Sequence, residues 1–149
     1  GALLAEVVAR MRAEGARLAG FLQGRAEGHV QLSDLAGGTL LGITQSLGSG
    51  SRGCKLDPRG LAEAAALALS ALERGADLLV IPRFGKAEVE GEGLRAVIGR
   101  ACELQIPVLA AVRVASLPAW ETFTGGLAET LPPEREAVLD WCRTALAPA

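Results

Sequence analysis

Eight consecutive residues, Gly48-Ser49-Gly50-Ser51-Arg52-Gly53-Cys54-Lys55, gather the groups that hold an anion. Glycines at 48, 50 and 53 let backbone N–H groups turn toward a common point. Ser49 and Ser51 add hydroxyl donors, and Arg52 and Lys55 add positive charge. Asp57-Pro58 reads as the start of a helix, whose N-terminus adds partial positive charge just downstream. The expected occupant is a small oxyanion such as phosphate or sulfate, or the phosphate of a nucleotide. The competing reading is a solvated surface loop whose charges serve solubility.

The stretch nearly matches the phosphate-loop pattern G-x-x-x-x-G-K-[ST]. Lys55 comes one place late, and Leu56 stands where a hydroxyl would hold magnesium. This favours holding a bare oxyanion over cleaving a nucleotide. A second basic stretch, Pro82-Arg83-Phe84-Gly85-Lys86, follows an apolar run. Arg83 and Lys86 could clamp an anion, but neither serves as a metal ligand or as a base near neutral pH. Alternatively they form a basic turn paired with Glu88, Glu90 or Glu92. The predicted anion-binding set is therefore Gly48, Ser49, Gly50, Ser51, Arg52, Gly53, Lys55, Arg83 and Lys86. No catalytic residue, metal site or cofactor is expected.

Other reactive residues read more plainly. His29, the single histidine, fits a solvated turn better than a general base. Cys54 is either a thiol activated by nearby cations or a small residue filling a tight turn. Cys102 and Cys142 fall on apolar helix faces and are expected in the core. Trp120, Phe123 and Thr124-Gly125-Gly126 form either a lid or oligomer contact, or a brace that pins the C-terminal helix to the sheet.

The elements that must position these groups follow from periodicity. Residues 2–14 predict an amphipathic helix with Leu4, Val8 and Met11 on one face. Residues 16–22 predict a short strand, and Gln23 to His29 a loop. Residues 30–35 and 39–45 predict a β-hairpin turning at Gly37-Gly38. An Ala/Leu-rich helix is predicted over 58–74, capped by Asp57. It lies against a sheet and either another layer or a partner subunit, so a homo-oligomer is expected. Residues 77–82 and 106–112 predict buried strands of the parallel kind. Helices are predicted near 93–104, 116–123 and 134–146, with 83–93 a polar loop. The alternation predicts one α/β domain over residues 1–149 with a largely parallel sheet. Ligands in such sheets sit at the carboxyl ends of strands. The loops after residues 45, 82 and 113 are then the site walls, carrying Ser46 to Lys55, Arg83 and Lys86, and Arg113 and Ser116.

Composition bounds the function. Half of the 149 residues are apolar, and aromatics make up 3%. With a formal net charge of −2, neither a stacking nucleic-acid surface nor attraction to acidic lipid is expected. Three cysteines without a C-x-x-C pair argue against a disulfide framework or zinc site and fit a cytoplasmic setting. No apolar run approaches the ~18 residues of a membrane span, so no membrane partner is expected. Gly1 opens inside a predicted helix, and the true N-terminus is expected upstream.

The chain carries two kinds of resemblance. Ala13 to Leu22 with its hairpin, and Asp77 to Lys86 followed by Ile106 to Val112, resemble strand regions of small P-loop nucleoside triphosphatases. Gln45 to Pro58, Phe84-Gly85-Lys86, and Leu117 to Trp120 through Gly125 to Ala128 resemble more closely a bacterial domain family of unknown function. That family is associated with molybdate transport and nitrogen fixation genes and is distantly similar to those enzymes. The resemblance covers nearly the whole chain and implies a three-layer P-loop-like fold. It places the enzymes' first strand and phosphate loop before Gly1, and it sets Pro82 and Arg83 where the enzymes carry acids. It thereby implies an oxyanion-binding protein of phosphate- or molybdate-like specificity rather than an enzyme. The alternatives are a nucleoside triphosphatase whose phosphate loop lies upstream, and a structural module forming a homodimer.

Overall fold

The computed structural model describes residues 2–46 and 54–148. Helix α1 (Ala2–Ala13) buries Leu4, Val7, Val8 and Met11, a stripe at helical spacing. Strands β1 (Leu18–Ala26) and β2 (His29–Asp34) form an antiparallel hairpin. Glu27 and Gly28 close it with φ of 54° and 80°, both positive as the tightest hairpin turns require. The expected loop from Gln23 to His29 is thus mostly strand. Its polar residues pair in register with β2, and pairing overrode their unpromising composition. Strand β3 (Leu40–Gly42) returns antiparallel to β2. This is the expected hairpin at Gly37-Gly38, and the Asp34 carboxylate ties its turn by accepting from Gly37 N at 2.9 Å.

Strands β4 (Thr44–Ser46) and β5 (Cys54–Leu56) pair in a separate two-stranded ladder. The glycine-rich stretch therefore leads into a strand rather than directly into a helix. Helix α2 (Pro58–Glu73) starts where expected, with Asp57 Oδ1 accepting from Arg59 N at 3.0 Å. It buries Gly60, Ala64, Ala68, Ala71 and Leu72. Strand β6 (Leu78–Phe84) comes next, then a single helical turn α3 (Lys86–Val89) inside the expected polar loop. Helix α4 (Arg95–Glu103), strand β7 (Val108–Val112), a 3-10 turn, helix α5 (Leu117–Thr124) and helix α6 (Arg135–Leu146) complete the chain.

The main sheet has the order β3-β2-β1-β6-β7. Strands β1, β6 and β7 are mutually parallel, and β3 points the same way, so β2 alone runs against the rest. Alternation along β6 divides two cores. Leu79 and Ile81 pack with α2 and α4 through Ala64, Ala68, Val97 and Ala101. Leu78 and Val80 pack with α1 and α6 through Val7, Val8, Val138 and Cys142. Helices cover both faces, giving the three-layer α/β arrangement expected of a P-loop-like fold. Cys142 is buried as expected, whereas Cys102 is exposed. Its side of α4 turns away from the stripe of Val97, Ile98 and Ala101. No helix among the described residues is long and apolar enough to cross a membrane.

One glycine decides where the sheet opens. Strand β1 pairs with β6 only from Leu18 to Gly20. Gly20 has φ 100°, and a Cβ there would lie 2.0 Å from the Val80 carbonyl oxygen. Past Gly20, β1 pairs with β2 alone, from Phe21 to Ala26. The sheet forks, and the ends of β1 and β6 separate.

Candidate functional site

The end of β6 is braced from one side by aromatics. Phe84 is fully buried and meets Trp120 edge-on at 5.0 Å and Phe123 stacked at 5.7 Å between ring centroids. These rings pin α5 to β6, rather than the C-terminal helix. Gly125 (φ 62°) and Gly126 (φ 75°) end α5 in the left-handed region. Register between β6 and β7 shifts between Ile81 and Phe84, around Pro82, which has no N–H to give.

Glu88 braces the next turn. It is 6% exposed. Its Oε1 accepts from Gly85 N at 2.9 Å, and its Oε2 accepts from Leu94 N at 3.0 Å. A buried carboxylate with both oxygens satisfied by backbone N–H groups fixes the segment between them. Gly93, at φ 61°, leaves room for it, since a Cβ there would fall 1.9 Å from Oε2. The Glu88 carbonyl also accepts from Arg95 Nη1 at 3.3 Å, and Arg95 lies 4.7 Å over the Phe123 ring. Glu88 therefore does not pair with Lys86, and among the described residues no ion pair joins Arg83 or Lys86 to Glu90 or Glu92 either, the other partners that the basic-turn alternative offered.

A cavity of about 450 Å³ opens where β6 ends, between the fork, α3 and the start of α2. Arg25, Arg83, Lys86 and Arg113 line it. A Cβ at Gly85 would lie 3.2 Å from Arg83 Nε and 3.6 Å from Arg113 Cδ. The two arginine side chains thus flank the same buried glycine. Each of the four cationic residues is exposed. None has an ion pair or a side-chain hydrogen bond among the described residues. Elsewhere arginines find acids readily: Arg100 reaches Glu73 at 2.7 Å, and Arg143 reaches Glu14 at 2.7 Å. Among the described residues, the gathering at β6 is therefore four cations without an ion pair, the Glu88 carboxylate in the same lining being hydrogen-bonded to the backbone instead.

Among the predicted site residues, Gly48, Ser49, Gly50, Ser51, Arg52 and Gly53 lie outside the described residues. Lys55 sits in β5, its backbone paired with Gln45. Thr44, the first residue of β4, lines the cavity. The ladder that carries the glycine-rich stretch therefore begins at the cavity rim. Arg83 and Lys86 are brought together with Arg113, which sequence reading placed in a donor-rich loop but outside the anion set. Arg25 was missed, because it lay in the supposed loop. Its signal is cross-strand register, Gln23 facing Leu32 and Arg25 facing Val30. His29 is the first residue of β2 rather than a turn residue. Its Nδ1 lies 3.3 Å from Thr44 Oγ1, which also accepts from Val30 N at 3.1 Å.

A second cavity, of about 380 Å³, lies at the opposite pole, near the starts of β1 and β6. Arg12, Arg17 and Arg74 line it. Arg12 donates to the Leu35 carbonyl, Arg17 pairs with Asp77 at 3.6 Å, and Arg74 donates to Ser70 Oγ at 2.7 Å. Among the described residues no group of three or more His, Cys, Asp or Glu is placed to hold a metal ion.

The chain belongs to the family described as Protein of unknown function (DUF2478), whose profile matches residues 1–141. It is 39% identical over 147 residues to a Bradyrhizobium diazoefficiens protein named Molybdenum import ATP-binding protein ModC 2. The match covers 95% of this chain and 16% of that relative, so the chain spans about a sixth of the relative's length. No solved structure matches the chain.

Proposed function

We propose that this member of the family is an oxyanion-binding, non-catalytic protein. Its site is the cationic cavity at the carboxyl end of β6, and it takes a phosphate- or molybdate-like group. The observation that carries this is the convergence of Arg25, Arg83, Lys86 and Arg113 on one cavity without partners among the described residues. Like charges held close repel one another, and a bound anion relieves that repulsion. Planar guanidinium groups suit tetrahedral oxyanions because they donate in pairs. Strand carboxyl ends are where α/β sheets receive ligands. Glu88, the one acid lining the cavity among the described residues, is committed to two backbone N–H groups, which supports binding over acid–base chemistry. In this reading Gly48 to Lys55 add further donors.

The relative's name joins molybdenum import with ATP binding. The first half of that name supports molybdate as a ligand. The second half supports a second reading, in which the bound group is a nucleotide phosphate. Calorimetric titration with molybdate, tungstate, sulfate, phosphate and ATP tests both. Heat from a tetrahedral dianion, lost in Arg83→Ala and Arg113→Ala, is the expected result. Heat from ATP alone would favour the second reading, and silence from all five would remove both.

A further inference from the structure

We infer that the physiological occupant of the cationic cavity is a phosphate monoester with a compact, largely apolar organic body, rather than a bare oxyanion. This rests on the oxyanion reading and narrows its ligand class. The first ground is size. A tetrahedral oxyanion presents four oxygens, and at the ~30 Å³ share of a liquid water each they fill on the order of 120 Å³. The cavity offers about 450 Å³. That falls in the range of ~300–1,000 Å³ that receives organic ligands.

The second ground is the lining. Besides the four cations and the polar Gln23, Thr44 and Glu88, the cavity is lined by Val30, Leu32, Ile43, Leu61 and Leu94. Leu32, Ile43 and Leu94 are buried members of the core beneath α2, so they form its floor. Val30 and Leu61 are half-buried and pack on the same core. A bare ion would engage the cations and leave the partly exposed faces of Val30 and Leu61 wet. A ligand with an apolar body would cover them and gain from their desolvation. The hairpin register ties the two halves together, because Arg25 and Val30 are directly paired across β1 and β2 and both line the cavity. No aromatic ring lines it among the described residues, so the body is held by aliphatic contact rather than by stacking.

Calorimetric titration of the whole chain with inorganic phosphate, phenyl phosphate and phenol tests this. Phenyl phosphate is expected to bind at least about tenfold more tightly than inorganic phosphate, with phenol silent. Arg83→Ala is expected to weaken both phosphates alike. Leu61→Ser, checked for folding by circular dichroism, is expected to erase most of the phenyl advantage and leave inorganic phosphate unchanged. Equal affinities for the two phosphates in the unaltered chain would overturn the inference while leaving the oxyanion reading intact. Silence from both would overturn the two together. The comparison between the two phosphates decides the matter even if Leu61→Ser fails to fold.

Discussion

The two poles of this molecule hold arginines in opposite ways. At the pole where β1 and β6 begin, Arg12, Arg17 and Arg74 surround a cavity and each is engaged by a carbonyl, a carboxylate or a hydroxyl. At the pole where β6 ends, Arg25, Arg83, Lys86 and Arg113 surround a cavity of similar size, and none is engaged among the described residues. Cavity volume and positive charge are thus common to both. What differs is whether the protein itself supplies the acceptors. Where it does, the arginines serve the fold; where the described residues supply none, the proposed reading is that an acceptor comes from outside.

That comparison can be broken or sharpened at four places. The largest effect is expected at the fork that creates the second pole. Gly20→Ala forces a Cβ onto the Val80 carbonyl at positive φ and is expected to cost about 3–5 kcal/mol, read from urea denaturation. A cost under about 1 kcal/mol would mean that the two strands are not held as close as the fork requires. Next comes Glu88, the acid that lines the cavity with the cations but pairs with none of them. Glu88→Ala strands the Gly85 and Leu94 N–H groups and is expected to cost about 2–4 kcal/mol. A loss of anion response with no loss of stability would instead make Glu88 part of the binding chemistry.

A third prediction fixes the pH range in which the poles can be compared. Burial pushes the Cys142 thiol up to about 11, from an ordinary value of 9.0. The folded state thus resists deprotonation more than the unfolded state does. The associated stability is whole below pH 9 and is lost as pH rises toward 11, by about 1–3 kcal/mol. Cys142→Ala should remove that part of the alkaline decline, which a denaturation series from pH 7 to 11 would reveal. The smallest effects separate the poles directly. Arg17→Ala is expected to cost up to about 1 kcal/mol, because it breaks an exposed ion pair, and to leave anion binding unchanged. Arg83→Ala and Arg113→Ala are expected to change stability by less than about 0.5 kcal/mol without ligand and to abolish the thermal shift with it. The reverse pattern would exchange the roles of the two poles.

Much of the architecture could be read from periodicity. The apolar stripe of α1, the Asp57-Pro58 start of α2, the continuous apolar strand of β6 and the hairpin at Gly37-Gly38 each rest on a local rule that the three-dimensional context leaves intact. The second half of β1 was illegible, because Gln23 to Ala26 becomes strand only through pairing with β2, a long-range event. The site was legible in part for the same reason. Arg83 and Lys86 announce themselves at the end of an apolar run. Arg113 appears as one donor among several, and Arg25 has no local mark at all. The spacing of Glu88, Glu90 and Glu92 offers three equal counter-charges for the basic turn and does not tell which one turns inward to the backbone.

The fork at Gly20 also bears on how such a domain can diversify. Beyond that glycine, the strand that carries Arg25 leans on β2 and shares no further ladder with β6. One wall of the cavity is therefore built by a hairpin whose exposed positions can be exchanged without repacking the two cores. The other wall, lined by Arg83, Gly85 and Glu88, is locked to the sheet through Phe84 and its aromatic brace. On the proposed reading, ligand preference can drift on the hairpin side while the fold is inherited intact from the other.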